Sequence, residues 1–157
     1  MKIGIMGGTF NPIHNAHLLI AEMAREEYGL DRVIFITDGN PPHKSANVTA
    51  KQRFEMTHIA IADNSAFEED DFEINRSEKS YTVNTLGYLK EKYPNNDLFF
   101  IIGEDSLNDF DKWYKPDKIL EMCSLLVFPR KSLKSLTETI KAVKEKMNGR
   151  IFPISAP

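Results

Sequence analysis

Short runs of consecutive apolar residues alternate along this chain with stretches in which apolar positions recur every three or four residues. Ile3-Gly4-Ile5-Met6, Val33-Ile34-Phe35-Ile36, Leu98-Phe99-Phe100-Ile101-Ile102 and Leu125-Leu126-Val127-Phe128 are near-continuous apolar segments of strand length, the pattern of parallel strands covered on both faces. Ile151-Phe152-Pro153-Ile154 is a weaker fifth candidate. Between them, Leu18, Leu19, Ala21, Met23 and Ala24 form one helical stripe and Phe54, Met56, Ile59, Ala60 and Ile61 a second, with similar periodicity at 81–92 and 133–147. This alternation predicts an α/β domain: a doubly wound parallel sheet of about five strands with helices on both faces. Such sheets bind ligands beyond the carboxyl ends of their strands, where the strand order reverses.

At 157 residues the chain is long enough for one domain with a sizeable core. Hydrophobic residues make up 41% and charged residues 27%, ordinary values for a globular protein. A net charge of −3 gives no global attraction to nucleic acid, so a polyanion site would have to be a local basic pocket. No apolar run approaches the roughly 20 residues of a membrane span, and the N-terminus lacks a signal-peptide pattern. The single cysteine, Cys123, sits among Met122, Leu125 and Leu126 and reads as a buried thiol in a reducing compartment. A cytoplasmic location is expected. Glu68-Glu69-Asp70-Asp71 reads as a solvated loop, and a longer loop is expected from Asp38 to Ala50.

The chemistry is concentrated directly after the first strand. Gly-Gly-Thr-Phe-Asn-Pro-Ile-His-Asn-Ala-His at 7–17 puts two glycines and two histidines where the first strand turns into the first helix. Glycines let the backbone approach an anion closely, and the unpaired N–H groups and dipole of a helix start favour negative charge. His14 and His17 are three apart and fall near one face of that helix. A second constellation, Asn40-Pro41-Pro42-His43-Lys44, follows the second strand, where the prolines stiffen the loop and Lys44 offers a point charge. By itself this segment equally fits a proline-stabilised turn with an exposed lysine. Ser80-Tyr81-Thr82-Val83-Asn84-Thr85-Leu86 opens a helix with hydroxyls that can cap it or hold a ligand. Gly103-Glu104-Asp105-Ser106 follows another strand and leads to Lys112-Trp113-Tyr114. Trp113, the only tryptophan, therefore falls near the expected ligand edge, although a lone tryptophan is more often core.

These segments, in this order, resemble the bacterial nicotinate mononucleotide adenylyltransferases of the His-x-x-His nucleotidyltransferase superfamily. The glycine-histidine segment alone reaches only the superfamily. Pro-Pro-His-Lys at 41–44, Ser-Tyr-Thr-Val-Asn-Thr-Leu at 80–86, Phe-Phe-Ile-Ile-Gly at 99–103 with Asp105, and Lys-Trp-Tyr at 112–114 narrow it to the pyridine-nucleotide branch. Asn11 stands where the family often has Asp, and Ala16 where it often has Gly. The family also continues beyond the fifth strand into a Ser-Ser-Thr-x-x-Arg motif that opens a C-terminal helix and holds the ATP phosphate tail. That motif is absent, so 1–157 reads as a single nucleotidyltransferase domain without its C-terminal helical segment.

The resemblance implies a Rossmann-like nucleotidyltransferase fold and transfer of the adenylyl group of ATP to nicotinate mononucleotide, giving deamido-NAD and pyrophosphate. The attacking phosphate is already an anion, so the site has to align two anions and offset charge rather than supply a base. By resemblance, His17, His14 and Lys44 are the catalytic residues. Gly7, Gly8, Thr9, Phe10, His14, His17, Gly103 and Asp105 bind ATP, while Lys44, Thr85, Trp113 and Tyr114 bind the mononucleotide. Mg²⁺ enters with ATP, and no protein side chain is expected to ligate a metal. Nucleic acid and membrane are not expected partners, and a homo-oligomer is left open. For Asp105 the competing expectation is an N-cap, and for His17 a capping or packing role. Other functions weighed are a nicotinamide mononucleotide adenylyltransferase, a truncated non-catalytic nucleotide-binding module, and a zinc site at His14 and His17, which has no cysteine or third ligand nearby.

Overall fold

The computed structural model describes residues 1–8, 10, 13–39, 49–76 and 80–155. Six parallel strands form one sheet: β1 Lys2–Gly8, β2 Arg32–Thr37, β3 Phe67–Asp70, β4 Asp97–Gly103, β5 Ser124–Phe128 and β6 Ile151–Pro153. Their order is β3-β2-β1-β4-β5-β6, so the chain winds outward from β1 in one direction and then returns to wind in the other. This is the doubly wound arrangement expected from the apolar runs.

Register divides the sheet into two buried faces. Ile5 lies beside Ile34 and Phe100, and Met6 beside Phe35 and Ile101. The Ile5 face is covered by α3 Thr82–Lys92, α4 Glu104–Asn108, α5 Pro116–Met122 and α6 Leu133–Lys146, through Leu86, Leu89, Leu107, Ile119, Leu136 and Ile140. The Met6 face takes α1 Asn15–Tyr28 and α2 Ala50–Ile61, with Ala21, Ala24 and Ile61 packed against Phe35 and Ile101. Successive residues on a strand point to opposite faces, so a near-continuous apolar sequence is what a sheet covered on both sides requires.

Three details differ from the sequence reading. The acidic run is not a solvated loop: Glu68, Glu69 and Asp70 lie in the edge strand β3, which makes six strands rather than about five. Its side chains have partners: the Arg32 guanidinium donates to Glu68 at 2.7 Å, and Glu69 meets His58. Asp70 is buried and accepts from Lys92 Nζ at 3.0 Å, Tyr88 Oη at 3.0 Å and the Phe72 amide at 2.9 Å. Second, α2 buries Arg53, Thr57 and Ile61, while Met56 and Ile59 face outward. The buried line runs at four-residue spacing, and Arg53 is accommodated because its guanidinium donates to the Asp38 carbonyl at 2.6 Å. Third, α4, α5 and a 3₁₀ turn at Phe110–Lys112 occupy the β4 to β5 crossover, where the sequence offers a helix only through the N-cap reading of Asp105.

Cys123 is buried as expected, and burial pushes its thiol up to about 12. Asp70 makes the sharper test, because removing its carboxylate strands the Tyr88 hydroxyl and the Phe72 amide. Asp70→Ala should lower unfolding free energy by about 2 kcal/mol in a denaturant titration. A change within experimental error would return the acidic run to a solvated, energetically neutral edge.

Candidate active site

The hydrogen-bonded ladder between β1 and β4 ends at Met6 and Ile101. Beyond that pair the two chains diverge, and a cleft of about 360 Å³ opens between them. Gly7, Gly8 and His17 line one side, Ile102, Gly103 and Ser106 another, and Glu73, Ser80, Thr82, Thr85 and Trp113 a third. The cleft thus sits at the reversal point of the strand order, as expected.

The glycine-histidine turn is shaped by close packing. Phe10 is buried with φ 48°, in the left-handed region, and its ring lies under Gly8. A Cβ on Gly8 would come within 3.0 Å of Phe10 Cε1. The Phe10 ring then meets His17 edge-on at 5.2 Å between centroids. His14 is the N-cap of α1, with its Nδ1 accepting from the Ala16 amide at 3.3 Å. The His14 amide donates to His17 Nδ1 at 3.1 Å. This last bond fixes the chemistry of His17. A neutral imidazole that accepts at Nδ1 carries its proton on Nε2. Burial, and then repulsion from His14, holds the His17 ring below its ordinary 6.5. At neutral pH, His17 is therefore an uncharged ring with an Nε2–H donor at the cleft.

Across the cleft, α3 begins at Tyr81 without a side-chain cap. The Ser80 hydroxyl is buried without a hydrogen-bond partner among the described residues. The hydroxyls of the Ser-Tyr-Thr segment are thus not spent on capping the helix that they open. Thr85, buried on the first turn, donates to Glu73 Oε2 at 2.6 Å. Trp113 is half-buried, 4.9 Å from the Phe110 ring and 6.1 Å from Phe100, and also lines the cleft.

Gly7, Gly8, His17, Gly103, Thr85 and Trp113 therefore meet at one cavity. Phe10 and His14 support it through His17. Two others stand apart. Asp105 is exposed and pairs with Arg130 at 3.3 Å, and the N-cap of α4 is Gly103 rather than Asp105. Tyr114 is also exposed, with its ring 4.6 Å from Tyr81. Thr9 and Lys44 lie outside the described residues.

Asp38 and Ser106, from segments placed at the ligand edge but not named as site residues, also line the cleft, as does Glu73, which nothing local in the sequence marks. Glu73 is positioned from a distance. A Cβ on Gly39 would lie 2.3 Å from the Glu73 carbonyl oxygen and 2.6 Å from Ile74 Cα. The Glu73 segment is thus packed directly on the backbone that leaves β2, a close approach that only glycine permits. Burial raises the Glu73 carboxyl to about 7, with the Thr85 hydrogen bond opposing and Asp38 reinforcing the shift. Among the described residues, no three His, Cys, Asp or Glu side chains converge as a metal cage.

A parallel sheet of this order, with a glycine-histidine turn and a cleft at its reversal point, has the architecture of the nucleotidyltransferases. The family model for cytidylyltransferase-like proteins matches residues 5–155. Curated relatives named "probable nicotinate-nucleotide adenylyltransferase" include one from Citrifermentans bemidjiense, 47% identical over 89% of this chain and 67% of its own length. Another, from Pelobacter propionicus, is 51% identical over 83% of this chain and 61% of its own, and one from Synechococcus is 37% identical over 99% and 76%. The chain therefore spans between 61% and 76% of these relatives' lengths. The solved structure of Plasmodium falciparum nicotinic acid mononucleotide adenylyltransferase complexed with NaAD superposes with a TM-score of 0.80. It is 22% identical, and the match covers 99% of this chain and 75% of that one, a likeness of fold. The chain belongs to the cytidylyltransferase-like family and, within it, to the nicotinate-nucleotide adenylyltransferases.

The His17 assignment has a direct spectroscopic consequence. In the free protein, its imidazole should titrate below 6.5 and show the Nε2–H tautomer by ¹⁵N NMR. The sign for stability follows. The unfolded ring binds protons more readily, so this contribution is complete above 6.5 and is lost as pH falls below it. An Nδ1–H tautomer, or titration above 6.5, would contradict the hydrogen bond to the His14 amide.

Proposed function

We propose that this protein transfers the adenylyl group of ATP to nicotinate mononucleotide, forming nicotinate adenine dinucleotide and pyrophosphate. The observation that carries this reading is a single cleft with the His17 Nε2–H donor on one side and Thr85 with Trp113 on the other. Similarity to the nicotinate-nucleotide adenylyltransferases supports it. In the reaction a phosphate oxygen of the mononucleotide bonds to the α-phosphorus of ATP. The bond from that phosphorus to the α,β-bridging oxygen breaks, and its electron pair leaves with pyrophosphate.

The protein's task is alignment and charge stabilisation. Gly7 and Gly8, at the end of β1, and Phe10 after them border the place of the ATP phosphates, and Thr9 is assigned to the same set. His17 donates to an α-phosphoryl oxygen, His14 holds the His17 ring, and Lys44 is assigned a supporting positive charge. Gly103 lines the adenosine side of the cleft, and Asp105 would have to leave Arg130 to reach the ribose. Trp113 stacks on the pyridine ring, and Thr85 and the backbone near Tyr114 receive its carboxylate. We infer that Mg²⁺ brought in with ATP would offset the negative charge of the departing pyrophosphate.

One feature favours a second reading. The Thr85 proton is directed to Glu73, so the free cleft presents an acceptor there, which suits a carboxamide N–H. A nicotinamide mononucleotide adenylyltransferase is the competing assignment. Pyrophosphate release from ATP and Mg²⁺ with each mononucleotide separates the two: the nicotinate form should turn over faster, and equal or faster turnover of the nicotinamide form would reverse the assignment. His17→Ala should lower kcat by roughly a hundredfold, as expected for loss of a donor that acts in the transition state. Near-normal turnover would reduce His17 to packing. Trp113→Ala should weaken mononucleotide binding by about 1–3 kcal/mol if stacking on bases is a fair guide, and unchanged affinity would place the indole in the core.

A further inference from the structure

Glu73 and Thr85 come from different elements and are both held in place. Thr85 is buried on α3. Glu73 sits on a segment pressed so closely against Gly39 that a Cβ there would lie 2.3 Å from its carbonyl oxygen, which leaves no slack. Their contact of 2.6 Å is a short hydrogen bond at the wall of the cleft. A threonine hydroxyl has one proton and two lone pairs. While Glu73 is ionised, that proton belongs to Glu73, and Thr85 can only accept from a ligand. A ligand carboxylate brought to Thr85 would then meet lone pairs on the hydroxyl and a second negative charge behind it.

We propose that Glu73 is the specificity-determining proton switch of this pocket: it takes up one proton when a carboxylate-bearing mononucleotide binds. The added proton comes from solvent. Protonated Glu73 then donates to Thr85 Oγ1, the Thr85 hydroxyl turns its own proton toward the ligand carboxylate, and no other bond changes. This rests on the mononucleotide reading of the cleft given above.

The surrounding charges agree with such a switch. Asp38, which follows β2, makes ionised Glu73 less favourable, and Arg76, on the same segment as Glu73, makes it more so. Arg53 of α2 donates to the Asp38 carbonyl, and His17 of α1, on the same cleft, is held toward its neutral form. Burial has already brought Glu73 to about 7, so a proton is available at small cost. A ligand carboxylate raises that value further. Proton uptake is therefore expected above about pH 7, where affinity for the carboxylate ligand should fall by up to about tenfold per pH unit. A carboxamide ligand donates to Thr85 without needing the proton, so its binding should lack this dependence.

Titration calorimetry at about pH 8, in two buffers of different ionisation heat, tests this by counting protons. Nicotinate mononucleotide should take up nearly one proton more than nicotinamide mononucleotide, whose identical phosphate supplies the baseline. In Glu73→Gln, whose amide imitates the protonated acid, that excess should vanish, and nicotinate mononucleotide affinity should become level with pH. Equal uptake for the two ligands in the unaltered protein would overturn the proposal, as would an undiminished excess in the variant. Should Glu73→Gln not fold, the two-ligand comparison in the unaltered protein decides alone. Failure of nicotinate mononucleotide to bind at all would remove the parent reading as well, whereas binding with equal uptake removes only the role of Glu73.

Discussion

The end of the β1–β4 ladder at Met6 and Ile101 is the constraint on which the rest of the molecule depends. Crossovers between parallel strands are right-handed, so winding outward from β1 in opposite directions places α1 and α2 on one face and α3 to α6 on the other. The two central strands therefore send their chains apart, and no backbone can bridge the gap between them. Gly7 and Gly8 continue alongside β2, while Gly103 stays beside β5 and caps α4. The cleft is a consequence of strand order, and its lining is whatever the sequence places just after the central strands.

That dependence explains which features could be read in advance. The four long apolar runs are strands because both faces of the sheet are covered, and the glycine-histidine segment falls at the reversal point because it follows the first of them. The His14–His17 spacing likewise survives intact as a cap and a hydrogen bond across one helical turn. Local chemistry and local periodicity were sufficient there. They failed where a distant partner decides the outcome. Asp70 looks like loop until Lys92 and Tyr88, on α3, are brought beside it. Arg53 interrupts the apolar stripe of α2 and becomes the most buried large side chain on that helix because a carbonyl at Asp38 awaits its guanidinium.

Glu73 is the clearest case. Within the sequence it is one more carboxylate in an acidic stretch. Its position comes from Gly39, whose missing side chain lets a segment more than thirty residues away pack on the exit of β2, and its protonation from burial beside Thr85. Neither is a periodic signal. The glycine at 39 and the acid at 73 only acquire meaning as a pair, and a single sequence does not reveal which pairs meet.

The electrostatics of the cleft then pose a problem that its chemistry must solve. Two phosphate-bearing substrates are to be held in a space whose described lining contributes the carboxylates of Asp38 and Glu73 and an imidazole held toward neutrality. Such a lining does not attract anions by fixed charge. In the proposed reaction, anions would be drawn by groups that do not carry a fixed positive charge: a neutral imidazole with its proton on Nε2 and an acid near 7 that can accept a proton. In that proposed reaction, positive charge carried in with ATP would supply the remainder. A site built this way avoids holding buried, uncompensated cations before substrate binds, and it becomes electrostatically complete only when both substrates are present. Charge complementarity is thereby tied to occupancy, which favours the aligned pair of anions over either one alone.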